Sequence, residues 1–435
     1  MKDLLINKIK NREASIGVVG LGYVGLPLVL RYLDADFSVV GFDIDEEKNK
    51  ALQSGKSYIN HIDAEGILEK YKQKKFYATS DFSCIKDVDA IVICLPTPLS
   101  KHREPDLSYI VNSADVIISH MRPGQVLSLE STTYPGTTDE VLVPKLQSAG
   151  YTIGEDTFLV YSPEREDPGN PKYNTRTIPK ICGGTTSSCL EVGVTLYNVV
   201  IDQVVPVSST QVAEFVKILE NTYRAVNIAL VNELKVLTDR MGLDIFEIIK
   251  AASTKPFGFS PFYPGPGLGG HCLPIDPFYL TWKAKEFEFN TRFIELAGEV
   301  NSSMPDYVVQ KVGLALNSHE KSIKSSHILI LGIAYKKNVD DTRESPAVVL
   351  IDKLSELGAN VQYSDPYVPD FPKLRKYHFD MKSVALTHEN VQKFDCVLIV
   401  TDHDKFDWQL IEKSAKLIVD TRGVLKYNNK NIFLA

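Results

Sequence analysis

Short apolar runs alternate with helix-length segments along most of this chain. Runs of strand length occur at 15–19, 37–42, 88–95, 126–129 and 158–161, and again at 327–335, 361–363, 396–400 and 417–420. The segments at 26–33 and 347–357 have the composition and spacing of helices. This alternation predicts two series of β–α units, each built around a largely parallel sheet.

A longer helical pattern separates the two series. It runs from 211 to 242, roughly 45 Å if unbroken. Such a helix could also serve as a dimer or hinge element. A polar helix face is typical of solvent exposure, but a lysine and an asparagine four residues apart could instead present a cation and an amide to one ligand atom. The apolar face holds Phe215, Leu219, Val226 and Leu230, and the polar face Lys217, Asn221 and Arg224.

The pattern therefore predicts an α/β protein with two Rossmann-like, doubly wound domains joined by a long central helix. We expect a first Rossmann-like domain over 1–208, a central helical region over 209–315 and a second Rossmann-like domain over 316–435. A chain of 435 residues suits this division, because single domains usually hold roughly 100–200 residues. Residues 2–10 predict a short amphipathic helix that serves packing.

The composition limits the partners and the location. A net charge of -7 argues against a nucleic-acid partner, which requires a basic surface. No apolar stretch has the length of a signal peptide or a membrane span, so we expect a cytoplasmic protein that makes no membrane contact. The six cysteines lack the spacing of a zinc site or a disulfide framework. Cys94 and Cys396 are predicted to lie in the core, whereas Cys272 has polar neighbours.

The first β–α unit carries the pattern of a dinucleotide site. Gly20, Gly22 and Gly25 follow the first strand, and Asp43 ends the second. Such glycines let the backbone approach a pyrophosphate at a helix N-terminus. Asp43 would accept hydrogen bonds from ribose hydroxyls and repel a 2′-phosphate, so NAD is favoured over NADP. The alternative is a structural turn with a capping aspartate.

Polar residues follow three more of the predicted strands. The segments are Pro96–Pro98, Glu130–Thr133 and Ser162–Glu166. Each segment alone could be a helix cap or a turn. The carboxyl ends of parallel strands meet at one edge of a sheet, where open α/β sheets bind ligands. Three such segments in series therefore favour a binding site at this edge.

The stretch from Gly265 to Asp276 combines four glycines in six residues with a single thiol and a carboxylate. It reads either as a tight turn around a buried cysteine or as a site where the backbone approaches a ligand. Cys272 would be the nucleophile of such a site, and Asp276 lies four residues after it.

These motifs together resemble the UDP-glucose/GDP-mannose dehydrogenase family over nearly the whole chain. The forms at 162–170 and 265–272 resemble its UDP-N-acetyl-hexosamine branch, UDP-N-acetylglucosamine 6-dehydrogenases most of all. Glucose enzymes usually carry a lysine where this chain has Ile275. The arginine that they lend from a neighbouring subunit has no clear counterpart near Pro256, where Lys255 could substitute. The matching motifs are GLGYVG (20–25), LPTP (95–98), ESTTYPGTT (130–138), SPERE (162–166), KxxxN (217–221), GGHCLPID (269–276) and DDTRESPA (340–347).

The resemblance implies oxidation of a sugar C6 alcohol to a carboxylate with two NAD and no metal. An aldehyde has no hydroxyl hydrogen to lose until a nucleophile adds to it, which is the role implied for Cys272. The resemblance makes Lys217 and Asn221 stabilisers of the alkoxides and Asp276 the base for water. It further implies that Thr132 orders that water and that Glu164 lies near the reacting carbon.

The resemblance also implies two binding sets and a homodimer formed through the central helix. His271 is expected to serve packing or a substrate contact. Two other functions stay open: a two-electron hydroxyacid dehydrogenase, in which Cys272 would be incidental, and a scaffold that only binds NAD and a nucleotide sugar. The UDP-sugar could also be UDP-ManNAc, UDP-GalNAc or UDP-glucose. The cofactor set is Gly20, Gly22, Tyr23, Val24, Gly25, Asp43, Pro96, Thr97, Ser131, Thr132 and Arg343; the substrate set is Glu164, Arg165, Lys217, Asn221, Tyr263, Gly267, Gly269, Tyr335, Lys336 and Arg422.

Overall fold

The computed structural model describes residues 1–59, 62, 65–100, 104–165, 173–270, 272–374, 376–425 and 430–435. The chain forms two compact units. The first holds Met1–Glu220 and Phe278–Phe289, and the second holds Asn221–Pro277 and Asn290–Ala435. Both are α/β, as the alternating pattern predicts.

One eight-stranded sheet organises the first unit. The strand order is β3-β2-β1-β4-β5-β6-β7-β8, and only the β6–β7 pair is antiparallel. In β4, Val92 packs into one core while Ile91 and Ile93 pack into the other. Apolar residues fill this strand because both faces of the sheet are covered. The strands are β1 Ser15–Val19, β2 Ser38–Phe42, β3 Phe76–Thr79, β4 Ala90–Ile93, β5 Gln125–Leu129, β6 Thr157–Tyr161, β7 Lys180–Gly184 and β8 Val204–Val207.

Helices cover the two faces of this sheet. The predicted N-terminal helix is confirmed, and its buried face consists of Leu5, Ile6 and Ile9. A 3₁₀ helix at Phe82–Asp87 and a π-helical turn at Thr138–Leu142 lie between longer elements. The helices are α1 Lys2–Lys10, α2 Gly25–Asp34, α3 Glu46–Gln53, α4 Glu65–Lys72, α5 Ser108–His120, α6 Val143–Ser148 and α7 Ser187–Asn198.

The long central helix, α8, is continuous from Thr210 to Met241. Its exposure is opposite to that of an ordinary amphipathic helix. Phe215 and Leu219 are 43% and 55% exposed, whereas Lys217 and Asn221 are only 6% and 5% exposed. Solvent exposure of the polar face is therefore wrong for Lys217 and Asn221, because both side chains hydrogen-bond inside the protein. Arg224, on the same predicted face, is exposed.

The second unit contains a five-stranded parallel sheet in the order β10-β9-β11-β12-β13. Cys396 is fully buried and Cys94 nearly so, as predicted, and burial raises the pKa of Cys396 to about 12. Among the described residues no helix combines the length and the apolar character needed to cross a membrane. The strands are β9 His327–Leu331, β10 Asn360–Ser364, β11 Cys396–Ile399, β12 Ile418–Asp420 and β13 Ile432–Leu434. The remaining helices are α9 Ile245–Ala252, α10 Asp276–Ala284, a 3₁₀ helix Lys285–Phe287, α11 Arg292–Asn317, α12 Pro346–Glu356, α13 His388–Gln392 and α14 Trp408–Ser414.

Candidate active site

The glycine loop lies where the strand order of the first sheet reverses, between β1 and β4. Gly20 has φ +92°, and a Cβ there would come within 2.6 Å of the carbonyl oxygen of Cys94. A Cβ on Gly25 would lie 1.9 Å from the carbonyl oxygen of Gly20. The fold itself therefore requires these two glycines. A Cβ on Gly22 would meet nothing within 4 Å, so the protein's own packing does not require glycine there. A close approach of a pyrophosphate explains it, and the loop fits NAD.

Asp43 is held beside the same loop. Its Oδ2 accepts a hydrogen bond from the backbone N–H of Leu21 at 3.0 Å, and its Oδ1 accepts one from Asp45 N at 3.0 Å. Lys48 Nζ lies 3.4 Å from Oδ2. The carboxylate is 9% exposed at the end of β2, which is the position of the ribose-binding acid in dinucleotide folds.

Polar residues after β4 and β5 lie along the same sheet edge. The Oγ of Ser131 accepts a hydrogen bond from Leu95 N at 2.9 Å, which ties the two loops together. Thr97 is buried and its carbonyl accepts from Tyr279 Oη at 2.8 Å. Thr132 is half-buried, and its hydroxyl bonds to none of the described residues. The other predicted cofactor residues of this unit are Tyr23 and Val24, just before α2, and Pro96, exposed after β4.

Glu164 and Lys217 are brought together within the first unit. Lys217 Nζ donates to the carbonyl oxygen of Glu164 at 2.7 Å and lies 3.7 Å from its Oε2. Burial raises the pKa of the Glu164 carboxyl, although the ammonium groups of Lys217 and Lys180 oppose the shift. Arg165 donates two hydrogen bonds to the carboxylate of Glu220 and one to a backbone carbonyl at 2.6 Å. Its guanidinium is thus held within its own unit.

Two buried acids of this unit received no individual role from the sequence: Glu130, named only as part of a strand-end segment, and Glu214. Glu130 is 2% exposed and pairs with Lys180 at 2.8 Å. Glu214, on α8, accepts hydrogen bonds from Gly136 N and from both N and Oγ1 of Thr138. Burial raises the pKa of Glu214 to about 7 against these donors. Glu214 lies three residues before Lys217, so its spacing on the polar face of the helix was an available signal.

In the second unit, Cys272 lies four residues before the first residue of α10, Asp276. Its carbonyl oxygen accepts from Ile275 N at 3.1 Å and Asp276 N at 2.8 Å, so the chain turns directly into the helix. Asp276 is 2% exposed, and its Oδ2 accepts from Asn221 Nδ2 at 2.6 Å. The structure thus brings Asn221, Asp276 and the Cys272 turn together.

The glycine-rich loop before Cys272 is shaped by the second sheet. Gly267 and Gly270 have φ of +135° and +83°, in the region that favours glycine. A Cβ on Gly269 would lie 2.8 Å from the Cβ of Tyr335, which brings two predicted substrate residues into contact. Tyr263, at the start of the loop, is 54% exposed.

A buried amide chain, also missed from the sequence, anchors this loop. Asn232 Oδ1 accepts from Gly265 N at 2.9 Å, and Asn232 Nδ2 donates to Asn301 Oδ1 at 2.8 Å. Asn301 Nδ2 in turn donates to the carbonyl oxygen of Ala225 at 3.1 Å. Asn232 lies three helical turns after Asn221 on α8, so helical spacing could have indicated it.

Arg422 follows β12 and lies against the loop. A Cβ on Gly265 would come within 2.6 Å of its Nη1. Its Nε donates to Val400 O at 2.6 Å, whereas Nη1 and Nη2 donate to none of the described residues. Burial lowers the pKa of this guanidinium. Two uncommitted NH₂ groups on a half-buried arginine suit a phosphate or diphosphate.

The remaining predicted residues differ in their exposure and in their contacts. Lys336 is half-buried after β9, whereas Arg343 is exposed. The guanidinium of Arg343 donates to the Asp341 carboxylate, from Nε to Oδ1 at 3.0 Å and from Nη2 to Oδ2 at 2.6 Å. Lys255 is exposed, its Nζ 5.2 Å from the ring centroid of Phe257. His271 and residues 166–170 of the predicted motifs lie outside the described residues.

Fold and site together define an NAD-dependent dehydrogenase with a nucleotide site in its second unit. Residues 14–201, 211–303 and 329–427 match the NAD binding, central and UDP binding domains of the UDP-glucose/GDP-mannose dehydrogenase family. The chain belongs to this family, and the resemblance read from its motifs is confirmed. It is an NAD-dependent UDP-sugar dehydrogenase.

Relatives with two different substrates are similarly close. A UDP-N-acetyl-D-glucosamine 6-dehydrogenase from Pseudomonas aeruginosa is 34% identical over 408 residues, 93% of this chain and 94% of its own. A UDP-N-acetyl-D-mannosamine dehydrogenase from Pyrococcus horikoshii is 35% identical over 424 residues, 94% of this chain and 96% of its own. A solved structure of a UDP-D-ManNAc dehydrogenase from the same organism aligns with a TM-score of 0.86 and 30% identity, covering 97% of this chain and 98% of that one.

Proposed function

We propose that this protein oxidises the C6 alcohol of a UDP-N-acetyl-hexosamine to the carboxylate, with UDP-N-acetylglucosamine as the preferred substrate and two NAD per sugar. The observation that carries the proposal is the 2.6 Å hydrogen bond from Asn221 to Asp276, with the Cys272 turn directly before that aspartate. A thiol, an amide and a buried carboxylate in this order suit a covalent second oxidation.

The first oxidation requires an alkoxide at C6. Bound NAD supplies the hydride acceptor for both oxidations. Lys217 and Asn221 stabilise the negative charge on oxygen, because an ammonium and an amide N–H held in a buried setting are strong donors to an oxyanion. Both side chains are already buried and oriented by Glu164 and Asp276, which lowers the reorganisation that the reaction requires.

The second oxidation passes through Cys272. Its thiolate adds to the C6 aldehyde to give a thiohemiacetal, which loses a hydride and becomes a thioester. Asp276 takes a proton from a water that Thr132 orders, and this water attacks the thioester carbon. The C–S bond breaks and frees the thiolate, and the carboxylic acid that forms loses its proton to solvent. Glu164 is placed near the reacting carbon, where its carboxylate accepts the proton of the C6 hydroxyl as the alkoxide forms.

The nucleotide is proposed to bind through the second unit. Nη1 and Nη2 of Arg422, which donate to no residue in the described part of the chain, suit the diphosphate. Lys336 and Tyr335 belong to the same set, and Gly267 and Gly269 let the backbone come close to the ligand. Arg343 would leave Asp341 to reach the NAD phosphates.

We also propose a homodimer formed through α8. Eight apolar side chains of the helix are more than a third exposed, which is unusual for a surface that stays in water. A second copy of the helix would cover them. They are Val212, Phe215, Leu219, Tyr223, Leu230, Leu234, Leu237 and Met241. The cytoplasmic location stays a prediction from the sequence.

A panel of nucleotide sugars tests the proposed substrate. Purified protein with NAD is offered UDP-GlcNAc, UDP-GalNAc, UDP-ManNAc and UDP-glucose, and NADH absorbance gives kcat/KM for each. We expect UDP-GlcNAc to be the best substrate. A preference for UDP-ManNAc would contradict that choice. Calorimetric binding of the sugars without any NADH would favour a binding scaffold, and turnover of hydroxyacids alone would favour a two-electron dehydrogenase.

A further inference from the structure

Two oppositely charged side chains are buried next to Glu164. Glu130 directly follows β5, and Lys180 opens β7. Lys180 Nζ donates to Glu130 Oε2 at 2.8 Å, and the two side chains are 9% and 2% exposed. A buried ion pair often contributes little net stability, because both charges lose their hydration. Stability alone therefore does not explain why this pair is inside the protein.

The ammonium of Lys180 is fixed on three sides. Besides Glu130, it donates to the carbonyl oxygen of Pro163 at 3.3 Å and lies 4.9 Å from the ring centroid of Tyr197. Pro163 is the residue before Glu164. The ion pair thus holds the backbone turn that presents the Glu164 carboxyl. Glu130, Lys180 and Glu164 also line one cavity of about 30 Å³.

Glu130 and Lys180 act on the pKa of Glu164 in opposite directions. Glu130 Oε1 is buried and accepts a hydrogen bond from none of the described residues. Among the described residues, the other charged groups around Glu164 are Lys217, from α8, and Arg165, which is paired with Glu220. Glu130 raises the pKa of Glu164, whereas Lys180 and Lys217 lower it. Removing the charge of Glu130 should therefore lower the pKa of Glu164, and removing the charge of Lys180 should raise it.

We propose that Glu130 and Lys180 form a positioning pair that holds the Pro163–Glu164 turn and sets how readily Glu164 exchanges a proton during turnover. The inference rests on the proposed function, since the catalytic part of Glu164 belongs to it.

Charge-removing variants test the pair with a readout that needs no substrate. Infrared titration follows the protonated carboxyl band of Glu164, assigned by its loss in Glu164→Gln. Glu130→Gln should lower the midpoint of this titration, and Lys180→Gln should raise it, each by about half a pH unit or more. The same shifts should appear in the pH profile of kcat. Asp202→Asn, which breaks the exposed pair with Arg176 in the same unit, is the matched control and should shift neither.

Shifts in the same direction, or no shift, would overturn the proposal. If either single variant fails to fold, the double variant Glu130→Gln/Lys180→Gln carries the test, because it leaves no unpaired buried charge. It should titrate near the wild-type midpoint but with kcat reduced about fivefold or more, since the turn loses its anchor. A double variant with wild-type kcat would contradict the positioning role. A protein that makes no NADH from any UDP-sugar would overturn the proposed function but leave the infrared result standing.

Discussion

Gly22 and Gly25 offer a matched pair of substitutions that separates folding from cofactor binding. In Gly25→Ala, the new Cβ would lie 1.9 Å from the carbonyl oxygen of Gly20, so the backbone must move by roughly 1 Å. We expect a cost of about 1–3 kcal/mol and a fall of several degrees in the unfolding temperature. In Gly22→Ala, the Cβ meets nothing within 4 Å, so stability should change by no more than about 0.5 kcal/mol.

Gly22→Ala should weaken NAD binding although it leaves stability nearly unchanged. A methyl group there would occupy the space that the pyrophosphate needs, and we expect the Kd for NAD to rise about tenfold or more, roughly 1.4 kcal/mol. Calorimetry with NAD and thermal unfolding without it give the two numbers. A Gly22→Ala protein that folds and binds NAD like the wild type would refute this account of the loop. A Gly25→Ala protein with unchanged stability would refute the packing argument.

Three further predictions follow from single contacts. The folded-state pKa of Glu214 is raised to about 7, so the stability that this carboxyl contributes is complete below its ordinary pKa of 4.5 and is lost as pH rises through about 7. Over that range the unfolding temperature of the wild type should fall relative to that of Glu214→Gln. A constant difference between the two unfolding temperatures would contradict the prediction. Asn232→Leu leaves Gly265 N without its acceptor, so KM for the UDP-sugar should rise about tenfold while KM for NAD stays unchanged, and equal changes in both would show a general loss of structure. Leu219→Glu, on the exposed face of α8, should give a monomer by light scattering, and a stable dimer would exclude this face as the interface.

Much of the architecture could be predicted from local pattern. Strands such as β5 and β6 are short apolar runs that are buried on both faces, and these are visible in the sequence. Four strands were not predicted, and each lacks that signal. β8 contains Pro206 and is an edge strand, and β7 ends in two glycines. β3 and β13 are also edge strands, and β3 alternates buried with exposed or half-buried residues.

The site was predictable where a residue's role follows from its own motif. Gly20, Gly25 and Asp43 are examples, since the turn and the strand end appear together in the sequence. The ion pair between Glu130 and Lys180 was missed because it depends on β7 lying beside β6, which local pattern does not predict. The burial of Lys217 was left open for the same reason. Its partner Glu164 is 53 residues away along the chain.

The number of NADH formed per sugar tests the central claim most directly. With a limiting amount of UDP-N-acetylglucosamine and excess NAD, we predict two NADH for each sugar consumed and a carboxylate as the product. Cys272→Ala should form no carboxylate, whereas Cys84→Ala, which removes another half-buried thiol, should match the wild type. One NADH per sugar, or carboxylate formation by Cys272→Ala, would contradict the thiol-dependent second oxidation.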